Sequence, residues 1–109
     1  MIELALVGKK IEVVERGLEK SLPNKLYIMH TKDETDFNYE QEAKKLKITI
    51  ENRYRISTVL VKMDAFDMDQ IIKAILRIIY NEKKQNASLT KRDFIINITG
   101  GTKLMTAAA

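Results

Sequence analysis

The feature that most constrains this chain is an exchange, repeated along its length, between two kinds of apolar pattern. Short runs that suit a strand give way to segments whose apolar residues recur at helical spacing. Ile2 to Val7 is apolar except for Glu3 and ends at Gly8. From Lys10 to Lys20, Ile11, Val14 and Leu18 fall at i, i+3 and i+7 on one helical face; Gly17 weakens that helix, and Ser21-Leu22-Pro23-Asn24 ends it. Leu26 to Met29 reads as a second strand, followed by a polar stretch from His30 to Asp36. Tyr39, Ala43, Leu46 and Ile50 then form a second helical stripe with Lys and Glu opposite. Ile56 to Val61 is a third strand, rich in β-branched residues. Asp67 begins a helix that is apolar on most sides between Ile71 and Ile79, with Lys73 and Arg77 as its single wet edge. Asn81 to Arg92 reads as a polar loop, Phe94 to Ile98 as a fourth strand, and Leu104 to Ala109 as the start of another helix.

The resulting order is β-α-β-α-β-α-β-α. Strands separated by helices pair in parallel, because a parallel pair needs a long crossover. Right-handed crossovers then give an open sheet with helices on both faces. The expected fold is α/β: a Rossmann-like, three-layer α-β-α domain with a mostly parallel sheet ordered 3-2-1-4. At 109 residues, with no linker and no internal repeat, the chain has room for one domain, residues 1–109. Its last helix stops on Ala107-Ala108-Ala109 without a cap or a glycine, so the sequence reads as the front part of a longer protein.

Composition removes several classes of function. Without cysteine there is neither a disulfide framework nor a thiolate metal site, and one histidine is too few for an ordinary zinc enzyme. No apolar run is long enough to cross a membrane, and the start lacks the basic region of a signal peptide, so a soluble, cytoplasmic protein is expected. The formal charge of +4 comes from 19 basic and 15 acidic residues spread along the chain. It suits an anionic ligand only weakly, and pairs such as Lys83-Lys84 read first as solvated faces. Asp64, Asp67 and Asp69 resemble metal-ligand material, but lack the Gly and Glu of a calcium loop. Acidic residues at a helix start are the simpler reading.

In a sheet ordered 3-2-1-4, a ligand belongs in the crevice beyond the carboxyl ends of strands 1 and 4. The loops there are Gly8-Lys9-Lys10 and Thr99-Gly100-Gly101-Thr102-Lys103. Adjacent glycines let the backbone approach a ligand and aim N–H groups at it. Thr102 can cap the following helix, whose positive end favours phosphate, and Lys103 supplies a point charge. The plainer alternative is a tight strand-to-helix turn with a threonine cap. Neither the P-loop spacing nor G-x-G-x-x-G is present.

The segment Asn97-Ile98-Thr99-Gly100-Gly101-Thr102-Lys103-Leu104-Met105 resembles the N-x-T-G-G-T-K-x-M signature of CARF domains, the CRISPR-associated Rossmann fold. Strand 2 ending in His30-Thr31, and a long apolar helix before the signature strand, agree with that family's layout. The resemblance implies a sensor of cyclic oligoadenylate, the second messenger of type III CRISPR defence, bound across a homodimer. It implies phosphate contacts for the loop from Thr99 through Gly100, Gly101 and Thr102 to Lys103. Gly8, Lys9 and Lys10, with His30 and Thr31, would line the adenosine side, and Asn97 would order the loop. It also implies further strands and an effector domain beyond this sequence. Some relatives cleave the ring through a ribose 2′-hydroxyl, for which Thr99 and Lys103 are the candidate catalytic residues, needing no metal and no cofactor. A generic nucleotide-binding fragment is the third reading. Direct nucleic-acid binding is not expected, as there is no helix-turn-helix or aromatic-basic stripe.

Overall fold

The computed structural model describes residues 1–7, 22–31, 38–63 and 67–97. In these, four strands, β1 (Ile2–Leu6), β2 (Lys25–Thr31), β3 (Ser57–Met63) and β4 (Phe94–Asn97), form one parallel sheet ordered β3-β2-β1-β4. Helix α1 (Tyr39–Tyr54) joins β2 to β3. Helix α2 (Met68–Gln85) and a 3-10 turn (Lys91–Asp93) join β3 to β4.

The apolar run of β1 is continuous because the sheet is covered on both faces. Alternate residues point to opposite sides of a strand. Ala5 and Val7 pack with Leu26 and Ile28 against Ala43, Leu46 and Ile50 of α1. Ile2, Leu4 and Leu6 pack with Met29 and Met63 against Ile71, Ile75 and Ile78 of α2. Two separate cores, one per face, make the three-layer Rossmann-like arrangement the patterning implies. The Tyr39, Ala43, Leu46, Ile50 stripe read from periodicity comprises the buried residues of α1.

Both helices start where local chemistry directs. The Asn38 carbonyl oxygen of the side chain accepts from the Gln41 N–H at 2.9 Å, and the Asp67 carboxylate accepts from the Gln70 N–H at 2.8 Å. Asp67 is thus a cap, as the plainer reading of the aspartates holds. Arg55 ends α1 in the left-handed region (φ 55°), its N–H returning to the Glu51 carbonyl at 3.1 Å. Lys83 and Lys84 occupy the last turn of α2, where cations suit the helix dipole.

Two expectations are corrected. The segment read as a loop from Asn81 carries α2 on to Gln85, and the 3-10 turn follows, closed by a reciprocal Thr90–Asp93 capping box. The helix persists because Glu82 continues the inward stripe at i+4 from Ile78 and is buried there, where Lys25 and Tyr27 donate hydrogen bonds to it. Nor is the Lys73–Arg77 edge the sole exposed part of α2. Ile72, Leu76 and Tyr80 are 41%, 59% and 66% exposed, so an apolar flank also faces outward.

Candidate ligand-binding site

The switch in strand order falls between β1 and β4. From β1 the chain reaches β2 on one side, and β4 returns on the other. Ala5 is in register with Asn97, so both strands run out of the same sheet edge side by side. The end of β1 is held to β2 as well: the Val7 N–H donates to the Met29 carbonyl at 3.0 Å. This is the position at which open α/β sheets bind ligands.

Of the residues expected here, His30, Thr31 and Asn97 are described, and the sheet brings all three to that edge. His30 and Thr31 end β2, and Asn97 ends β4. Alternation puts His30 on the face of Leu26 and Ile28, and the register puts Asn97 on the face of Ala5. Both therefore lie on the α1 side, with β1 between them. The His30 ring is buried, and its Nδ1 lies 2.9 Å from the Thr31 carbonyl oxygen. A carbonyl only accepts, so Nδ1 carries the hydrogen and Nε2 is the nitrogen left for another contact. Thr31 and Asn97 are half-buried. Gly8, Lys9, Lys10, Thr99, Gly100, Gly101, Thr102 and Lys103 lie outside the described residues.

One ionisable cluster and one lone carboxylate belong to the opposite, amino-terminal half of the strands. Lys25 Nζ donates to Glu82 Oε1 at 2.6 Å and sits 5.1 Å from the centroid of the Tyr27 ring, while the Tyr27 hydroxyl donates to the same carboxylate oxygen. Burial alone would push the Glu82 carboxyl up, but the hydrogen bonds from Lys25 and Tyr27 outweigh it and hold the group below its ordinary value. The same contact with Glu82 raises Lys25. Glu3 is the contrary case. It is buried in β1, its Oε2 has no hydrogen-bond partner among the described residues, and burial pushes its carboxyl up. In sequence Glu3 reads only as a break in an apolar run, and neither it nor Glu82 carries a signal of its environment.

No helix among the described residues is long and apolar enough to cross a membrane. Among the same residues, no group of three or more His, Asp or Glu side chains is placed to hold a metal ion. No curated protein and no solved structure matches the chain. A profile of the family described as the Card1 CARF domain matches residues 11–109, a span that takes in β2 to β4 and the whole Asn97–Met105 segment. With most of its length matched, and with the parallel β3-β2-β1-β4 sheet in place, the chain belongs to the Card1 CARF domain family of CRISPR-associated Rossmann folds.

Proposed function

We propose that this domain senses cyclic oligoadenylate in the cytoplasm as part of type III CRISPR antiviral defence. The ring lies across a homodimer, over the loops that follow β1 and β4. One observation carries this reading: Asn97, the last residue of β4, stands beside Ala5 of β1 at the switch point of the sheet, and the Thr99-Gly100-Gly101-Thr102-Lys103 sequence begins two residues later along the chain. Paired glycines, a threonine of a type that caps helices and a lysine form a set suited to phosphate. A two-fold dimer presents each such loop twice, and a ring of four or six AMP units can share that symmetry. Gly8, Lys9 and Lys10 approach from β1 and Thr31 from β2, with His30 offering Nε2 to an adenosine. Asn97 orders the start of the phosphate loop. An effector joined to the domain would take up the signal.

The test is calorimetric titration of the chain with cyclic tri-, tetra- and hexa-adenylate, alongside its mass in solution. Saturable binding of one ring per dimer is the expected result. Lys103→Ala should weaken that binding by about tenfold or more while leaving thermal unfolding nearly unchanged. A folded dimer that binds none of the rings overturns the proposal. Linear fragments ending in a 2′,3′-cyclic phosphate after long incubation would add ring cleavage to sensing, with Thr99 and Lys103 as the residues to vary.

A further inference from the structure

At the far side of the sheet from β4, a cleft of about 290 Å³ opens between β3 and α2. One wall is the Val61–Met63 end of β3, and the other is Gln70, Lys73, Ala74 and Arg77 of α2. Among the described residues, no acidic side chain lines it. Lys73 and Arg77 stand at i, i+4, and neither has a carboxylate partner among the described residues. The third cation, Lys62, is engaged on the opposite face of the sheet by Glu40 at 3.7 Å.

Among the described residues β3 is an edge strand, hydrogen-bonded only to β2. Its outward backbone groups can be identified. The Thr58 N–H turns away from β2 and donates to Glu51 Oε2 at 3.4 Å. Alternation then directs the N–H and C=O of Leu60 and Lys62 outward as well. Glu51 closes the lower part of this edge, and the upper part, Leu60 to Lys62, has no backbone partner on its outer side among the described residues. An unpaired strand edge is a template for another strand.

We propose that this edge accepts an extended acidic peptide segment, which adds to the sheet beside β3. Its backbone pairs with Leu60 and Lys62, and a carboxylate lies between Lys73 and Arg77. The charge of the cleft selects the occupant. Among the described residues, two cations without a carboxylate partner and a lining free of acids favour a carboxylate side chain, while the open ladder positions favour an extended backbone over a compact anion. The site is independent of the crevice beyond β1 and β4, so its occupancy and that of the nucleotide site can be tested separately.

A fluorescein-labelled peptide alternating valine with glutamate, about eight residues long, is a direct probe by fluorescence anisotropy. The expected result is saturable binding that weakens with added salt and perturbs the Leu60 and Lys62 amide resonances. Lys73→Glu combined with Arg77→Glu should reduce affinity about tenfold or more, and both positions are exposed, so the fold is retained. The same peptide N-methylated along one edge keeps its charges but cannot form the ladder, and it should fail to bind. Equal binding of the methylated peptide, or of a valine–lysine peptide, overturns the proposal. So does displacement by a single-stranded oligonucleotide that binds the cleft more tightly, which would make the surface a nucleic-acid contact. Self-association through β3 in place of peptide binding overturns it too.

Discussion

Glu82 offers the sharpest test of the structural reasoning, because its sequence context argues for a loop and the structure makes it an anchor. Its carboxylate receives two hydrogen bonds, from Lys25 Nζ at 2.6 Å and from the Tyr27 hydroxyl, and so ties the last turns of α2 to the start of β2. A hydrogen bond to a charged group contributes about 1.5–3 kcal/mol, but the Lys25 side chain is 29% exposed and its share falls to about 1 kcal/mol or less. Glu82→Ala removes both bonds and leaves the Tyr27 hydroxyl without its acceptor, so a loss of about 2–3 kcal/mol is expected. Glu82→Gln keeps an acceptor and should lose about 1–2 kcal/mol. For a chain of this size, 2 kcal/mol corresponds to about 9 °C in Tm. The folded-state pKa of Glu82 lies below the ordinary 4.5. Its stabilisation is therefore complete above the unfolded value and fades as pH falls through the lowered one. Urea unfolding followed by circular dichroism at neutral and acid pH would show the wild type and Glu82→Gln converging on acidification. A loss under about 0.5 kcal/mol for Glu82→Ala at neutral pH, or a gap that does not narrow in acid, would refute the account.

Glu3 predicts the opposite sign. Burial raises its folded-state pKa above 4.5, so its contribution is most favourable below the unfolded value and is lost as pH rises through the raised one. Glu3→Gln should be more stable than the wild type at neutral pH by about 1–2 kcal/mol in urea titration, with the advantage gone in acid. Asp67→Ala removes the cap that receives the Gln70 N–H and should cost about 1 kcal/mol, whereas Asp67→Asn should cost little. Ile71→Ala, at a fully buried position between α2 and the sheet, should cost about 2–5 kcal/mol by thermal unfolding; the exposed Leu76→Ala should cost less than about 1 kcal/mol.

Much of the fold follows from local chemistry. The continuous apolar run at Ile2–Val7 suits a strand covered on both faces, and Ala5 and Leu4 do face different helices. Asp67 marks its helix start by residue type alone, because a cap needs only an acceptor in front of free N–H groups. The end of α2 was not legible in this way. Asn81 to Gln85 is polar, and polarity speaks for a loop unless one of those residues finds partners inside the fold. Of the site, the loop sequence after β4 is readable as chemistry, and its neighbours are readable only through topology. Nothing local in His30-Thr31 says that the imidazole is buried with Nδ1 turned to the next carbonyl.

The two buried glutamates mark the boundary between what residues settle by themselves and what the assembled sheet settles for them. Periodicity and turn chemistry are properties of neighbours along the chain, so the exchange of strands and helices, the parallel sheet and the family signature are visible in one dimension. Glu3 and Glu82 are chemically identical, yet the Oε2 of one is buried without a hydrogen-bond partner among the described residues and the carboxylate of the other gains two. Likewise Lys73 and Arg77 are an ordinary helix edge until β3, as the outermost strand, supplies the second wall of a cleft. The free energy of a buried charge depends on which groups approach it through space, and residues 25, 27 and 82 meet only after α1, β3 and α2 have been wound around the sheet.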